Sequence, residues 1–138
     1  MKKQITIPIF IPHHGCPHTC VFCNQRYSTN NSKSSPLLSI KKIDQIVHDY
    51  IRSKKESVSH VELAFFGGSF TGLDLHIQKQ YLSYARELKS KHVIHAIRLS
   101  TRPDLLPKEA INTLLQHSVD TVEIGAQSFD NKVLKDSH

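Results

Sequence analysis

Three cysteines fall in the stretch Cys16-Pro-His-Thr-Cys20-Val-Phe-Cys23, a C-x3-C-x2-C cluster, and the chain has no others. Three thiols so close in sequence can converge on one metal centre. A structural zinc site wants four tetrahedral ligands from Cys or His, and His13, His14 or His18 could supply the fourth. An iron–sulfur cluster normally takes four cysteine thiolates. With three, a four-iron cluster keeps one iron without a protein ligand. An open iron can bind a substrate or cofactor, which turns an electron carrier into a catalyst. Buried, inert thiols are a poor account of three cysteines in a loop of Pro, His, Thr and Asn. A disulfide framework is excluded, because it needs pairs spread along the chain.

Charge gathers around the same segment. The formal net charge is +6, and no acidic residue precedes Asp44. Lys2, Lys3, Arg26, Lys33, Lys41 and Lys42 lie before it, and the remainder balances to zero. The start imitates a secretion signal, with Lys2-Lys3 ahead of apolar Ile5 to Ile11. Pro8 and Pro12 interrupt that run, and His13-His14 stands where a cleavage site wants small residues. A reducing, cytoplasmic compartment is therefore expected, where thiols stay available for metal. No apolar run approaches the ~20 residues that span a membrane.

The elements that must position the cysteines read as alternating strands and helices. Gln4–Ile11 is a first strand, and Pro8, lacking an N–H, assigns it to a sheet edge. Residues 12–37 form a long loop, of a kind that is usually functional in a compact domain. Ser39 caps a helix over about 40–54, with Ile40, Ile43, Ile46, Val47, Tyr50 and Ile51 on the 3.6-residue period. Val61–Phe66 is a second strand, stopped by Gly67-Gly68. Asp74 caps a helix over about 75–90, with Leu75, Leu82, Ala85 and Leu88 as its buried stripe. Ala96–Ser100 is a third strand. Pro107 opens a helix to about Gln116 through Ile111, Leu114 and Leu115. Thr121–Gly125 is a fourth strand.

This order predicts an α/β fold with a parallel sheet built by βαβ crossovers. Parallel strands covered on both faces read as continuous apolar runs. These do not. Glu62 opposes Val61, Leu63 and Phe65. Arg98 and Ser100 oppose Ile97 and Leu99, and Glu123 and Gly125 oppose Val122 and Ile124. The helices take the apolar face, which leaves the polar face to a wet or ligand-filled concavity such as the lumen of an open barrel.

The cysteine spacing, with an aromatic before the last Cys and after a first strand, resembles the radical SAM superfamily. The stretch IPIFIPHHGCPHTCVFCNQR at 7–26 is similar to the radical SAM domain of the Elongator catalytic subunit and its bacterial relatives. ELAFFGGSFTGL at 62–73, LSTRPDLL at 99–106 and VEIGAQSFDNKVL at 122–134 agree, in the same order. Oxygen-independent coproporphyrinogen oxidases share the barrel and a similar G-x-Q-S-F stretch.

The resemblance implies that Cys16, Cys20 and Cys23 ligate a [4Fe-4S] cluster. It implies S-adenosylmethionine on the fourth iron, reductively cleaved to a 5′-deoxyadenosyl radical that abstracts hydrogen from substrate. Phe22 would meet the adenine. Gly67-Gly68-Ser69 matches the family's glycine-rich turn and would receive the methionine ammonium; the commoner form ends in Glu, where Ser69 stands here. Glu123 would then supply a carboxylate. Ser100, Thr101 and Arg102 fall where ribose or carboxylate contacts are expected, and Gln127 with Ser128 follows the fourth strand. Locally, Arg102 could instead pair with Asp104, Glu123 with a basic neighbour, and Gln127-Ser128 could cap the next turn of chain. The catalytic residue is not identified.

Length qualifies this expectation. At roughly 31 residues per βα unit, 138 residues hold a little over four units of a TIM-like partial (β/α)6 barrel. The whole chain, 1–138, is thus expected to be an incomplete radical SAM core ending as a further helix should begin. It would expose the edge of the fourth strand and need a missing C-terminal barrel segment or another chain. No acetyltransferase domain is expected within these 138 residues. The expected partners are an external electron donor and, through the basic first segment, tRNA, with no membrane. The alternatives are a coproporphyrinogen oxidase-like enzyme and a non-catalytic iron–sulfur or zinc module.

Overall fold

Isoleucine alternation sets the first strand. The computed structural model describes residues 3–11, 14–17, 20, 21, 23, 36–55 and 57–136. In β1, Lys3–Ile11, the side chains of Ile7, Ile9 and Ile11 are fully buried while Pro8 and Phe10 are exposed on the other face. The period-2 pattern dictates this split, because successive side chains leave a strand on opposite sides.

The remaining elements follow in βα order. They are α1 (Ile40–Ser53), β2 (Val58–Gly67), α2 (Leu75–Ser90), β3 (Ala96–Thr101), α3 (Lys108–Gln116), β4 (Thr121–Ile124) and α4 (Asn131–Asp136). Single 3-10 turns lie at Phe70–Gly72 and Pro103–Leu105. The four strands are all parallel and stand in chain order, β1-β2-β3-β4. Parallel neighbours need a crossover between them, and α1, α2 and α3 are those crossovers.

β1 is an edge strand among the described residues. Pro8 lies opposite Ala64 of β2 in register, and an edge strand is where a residue without an N–H is tolerated. β4 is the opposite edge among the described residues. β2 begins three residues before the sequence signal, because Val58 and His60 still pair with Lys3 and Gln4. α4 already starts at Asn131, where the sequence reading placed the next helix near the chain end.

The helices cap as expected. Ser39 Oγ accepts from Lys42 N at 3.3 Å, and Asp74 Oδ1 accepts from His76 N at 2.8 Å. They cover one face of the sheet. Ile43 and Val47 of α1, Tyr81, Leu82 and Ala85 of α2, and Leu114 of α3 join Ile7, Ile9, Leu63, Phe65, Ile97 and Leu99 in one core. The Tyr81 ring stacks on Phe65 with centroids 5.7 Å apart, and its hydroxyl donates to Leu38 O at 2.6 Å. That bond gives the buried phenol the partner it needs.

Four expected core positions need correction. Leu75 is 51% exposed and Tyr50 38% exposed. Leu75 opens the first turn of α2. The buried place in that turn goes to Gln78, whose amide nitrogen donates to Thr71 O and Leu73 O. Ile111 and Leu115 of α3 are also exposed, at 45% and 68%, while Leu114 between them is buried. With Leu106, Val119, Val122 and Ile124 they line a shallow apolar groove beside β4.

Candidate functional site

Because all four strands run the same way, their C-terminal ends share one edge, and every sequence-predicted site residue that is described lies there or on the open face. The loop after β1 carries the cysteines to this edge. Its backbone docks on the turn after β2. Ser69 N donates to His14 O at 3.1 Å. A Cβ on Gly68 would lie 2.1 Å from His14 O, and one on Gly15 would lie 2.0 Å from Ser69 O. Gly15 also has a φ of +74°, which few other residues tolerate. Only hydrogen occupies that space, so the two loops interlock main chain to main chain.

The contact continues through side chains. Cys16 Sγ is 3.4 Å from Ser69 Oγ, and Ser69 is 3% exposed. Arg102, just past β3, grips Asp104 with two nitrogens, Nε to Oδ1 at 2.9 Å and Nη2 to Oδ2 at 3.1 Å. Its third nitrogen, Nη1, donates to Cys20 Sγ at 3.7 Å. The bond to Asp104, and to a lesser degree the nearby Cys20 and Cys16, holds the guanidinium firmly charged. Cys23 follows Cys20 in a turn closed by Cys23 N donating to Cys20 O at 2.9 Å. Thr101, 4% exposed, shares a 2.5 Å hydroxyl contact with Thr71. Gly125 N, after β4, donates to Thr101 O at 2.9 Å. The ends of all four strands are thereby linked.

The open face carries a polar ladder across the sheet. Thr6 of β1 donates to Glu62 of β2 at 3.5 Å. Arg98 of β3 donates through Nε to Glu62 Oε2 at 2.8 Å and through Nη1 to Glu123 Oε1 at 2.6 Å. Ser100 donates to Glu123 Oε2 at 3.0 Å. Arg98, then Ser100, holds the Glu123 carboxyl below the usual carboxylate range. Both oxygens of Glu123 keep a lone pair for further donors, since a carboxylate accepts about four bonds.

Gln127 is exposed in the left-handed region at φ +61°, and Ser128 Oγ accepts from Asp130 N at 3.0 Å. Gly67 has φ +102°, where a Cβ would strike the Phe10 ring. Phe22, His13 and His18 lie outside the described residues. Sequence reasoning missed Gly15, Thr71 and Gly72, the last being where a Cβ would lie 1.9 Å from Gly15 O. The signal was present in the Gly before the first Cys and in the FTG that follows GGS.

A family model described as the radical SAM superfamily matches residues 10–138. This chain belongs to the radical SAM superfamily. It is similar to a tRNA uridine(34) acetyltransferase of Methanocaldococcus infernus, 31% identical over 58% of this chain and 19% of that protein. It is also similar to the oxygen-independent coproporphyrinogen-III oxidase-like protein HemZ of Bacillus subtilis, 25% identical over 98% of this chain and 27% of that one. Among solved structures, the archaeal Methanocaldococcus infernus Elp3 superposes with a TM-score of 0.57. That match has 17% identity over 96% of this chain and 30% of the other, so it bears on the fold alone. The fold is thus a partial radical SAM, TIM-like barrel. The chain spans about a fifth to a quarter of the curated relatives it matches. Among the described residues no helix is long and apolar enough to cross a membrane.

The donor set at the cysteine loop fits an iron–sulfur cluster. All three thiols are free and half-buried. Two of them face groups that can donate to sulfur, a hydroxyl and a guanidinium, which suits thiolates bearing negative charge. Among the described residues no three His, Cys, Asp or Glu side chains are gathered as ligands of a single ion. It is the donor chemistry that fits.

Proposed function

We propose that this radical SAM chain holds a [4Fe-4S] cluster through Cys16, Cys20 and Cys23 and binds S-adenosylmethionine at the C-terminal ends of its strands. Bound together, the cluster and cofactor supply one-electron cleavage to a 5′-deoxyadenosyl radical and hydrogen abstraction from substrate. The observation that carries this reading is the docking of the cysteine loop on the Gly68-Ser69 turn within a sheet of the superfamily's fold.

The chain's own groups have separable parts. Gly68 and Gly15 let the loop seat on the turn, so the thiols stand over the strand ends. Arg102, pinned by Asp104, brings positive charge to an anionic site. Glu123 and Ser100 offer acceptors and a hydroxyl beside the open face for ribose or amino groups. Gln127 is exposed and free of the ladder. Thr101 is committed to Thr71, so its part is to hold the turn rather than to reach a ligand. Phe22 is retained as an adenine contact on resemblance alone.

For substrate, the tRNA-directed relative favours a tRNA base, and the basic residues before Asp44 suit phosphate contacts. An external electron donor is required. The match to HemZ, over 98% of this chain, keeps a coproporphyrinogen oxidase-like activity as the second reading.

Anaerobic reconstitution of the 138-residue chain with iron and sulfide tests the proposal. Four irons per chain are expected, with a reduced-state electron resonance signal that changes on adding S-adenosylmethionine. Zinc in anaerobically purified protein, or a signal indifferent to the cofactor, would overturn it. A tRNA gel shift that weakens with salt would support the tRNA reading, and binding that ignores salt would contradict it.

A further inference from the structure

We infer that Ser69 and Arg102 raise the reduction potential of the proposed cluster by donating hydrogen bonds to two of its cysteine ligands. The inference rests on the cluster reading above and assigns these residues a different part from cofactor binding.

Ser69 Oγ stands 3.4 Å from Cys16 Sγ. Between a thiol and a hydroxyl either atom can donate. Once Cys16 is a metal-bound thiolate it has no proton, so the hydroxyl must donate. Ser69 is nearly fully buried and its backbone N–H is already committed to His14 O. The side chain is therefore held in place rather than sampling solvent.

Arg102 reaches the second ligand. A guanidinium has donors only, so its contact with Cys20 Sγ has one polarity. Asp104 takes Nε and Nη2 in a two-point grip, at 2.9 and 3.1 Å, which fixes the plane of the fork. Nη1 is left directed at the sulfur, 3.7 Å away. The bridge spans 82 residues, so nothing local in the chain requires it.

Reducing an iron–sulfur cluster adds negative charge, part of which resides on the ligating sulfurs. Donors to those sulfurs favour the reduced state, and hydrogen bonds to sulfur are among the levers that set cluster potentials. A donor on each of two thiolates therefore makes reduction easier. In a chain whose proposed chemistry begins with delivery of one electron, this sets which donor proteins can drive it.

The test is a redox titration of the anaerobically reconstituted chain, followed by electron resonance, with iron content measured on each sample. Ser69→Ala and Arg102→Met are each expected to load iron as wild type does and to show a more negative midpoint. The double variant is expected to shift further, since the two bonds reach different sulfurs. Ser69→Thr and Arg102→Lys each keep a donor and should lie at or near the wild-type midpoint. If the Ala and Met variants do not load iron, Arg102→Gln decides, since it keeps only a neutral donor on a shorter arm: a midpoint more negative than wild type is expected, and an unchanged one would overturn the inference. Fully loaded variants with an unchanged midpoint would overturn the inference while leaving the cluster reading intact. So would Thr and Lys variants displaced from wild type as far as a variant with no donor. A wild-type chain that takes up no cluster would remove both.

Discussion

Arg98 Nε donates to the nearly buried carboxylate of Glu62 at 2.8 Å, joining β3 to β2 on the face that the helices leave open. The same guanidinium donates to Glu123 at 2.6 Å. Two carboxylates thus share one cation in very different surroundings. The Glu62 side chain is 4% exposed and that of Glu123 45% exposed.

The two halves of this arrangement should differ in energetic weight. Arg98→Met strands the Glu62 charge and should cost about 3–5 kcal/mol, the usual penalty for an orphaned buried ion. Adding Glu62→Leu should recover most of that loss, because a well-packed apolar pair is often as stable as a buried ion pair. Thermal melts of the single and double variants measure the difference. A double variant no more stable than Arg98→Met would refute the account.

Glu123 should contribute little, and in a pH-dependent way. Its carboxyl is held below its ordinary range, by Arg98 first and Ser100 second, so it stays ionised in the folded chain. A depressed folded pKa adds stability that is present above the unfolded pKa and lost as pH falls through the folded one. Solvent screening limits the amount to about 1 kcal/mol or less. Glu123→Gln should therefore be slightly less stable at neutral pH. In urea denaturation the gap should close as pH drops through and below about 4. A gap that stays constant down to strong acid would contradict this origin.

The loop interlock predicts graded effects of adding a methyl group. Gly68→Ala puts carbon where His14 O already stands, 2.1 Å away, and should cost about 1–3 kcal/mol or unseat the cysteine loop. Protease sensitivity within residues 12–37 and reduced iron uptake would report the unseating. Gly125→Ala is the control. Its nearest contact would be the movable end of Gln127 at 3.2 Å, so the change should stay within about 0.5 kcal/mol.

The groove beside β4 predicts association without a stability role. Leu115 is 68% exposed and Ile111 45% exposed, next to a strand edge that no other described strand pairs. Exposed apolar patches and free edges promote self-pairing. Leu115→Ser should leave the melting temperature nearly unchanged, within about 0.5 kcal/mol, and lower the mass seen by light scattering at high concentration. A large loss of stability would show that Leu115 is buried in solution.

The elements were legible in the sequence because their signals are local. Ser39 and Asp74 cap helices through atoms two or three residues away, and the alternation of Ile7, Ile9 and Ile11 follows from the pleat. The three thiols and the glycine turn were legible as types and spacing. So was the polar character of the face bearing Glu62, Arg98 and Glu123. Leu75 misled, because a helical period gives a side chain's direction and not which residue of a turn the core takes in; here it takes Gln78.

Partnership is what only the tertiary structure decided. Arg98 could have met any carboxylate. It meets Glu62 and Glu123, 36 and 25 residues away, because parallel register sets their strands side by side. Ser69 meets Cys16 across 53 residues because two loops without Cβ atoms at their contact can touch main chain to main chain. The sequence by itself determined which groups could do chemistry and which elements would carry them. Register and loop docking, which depend on crossovers far longer than any local signal, decided which of those groups touch.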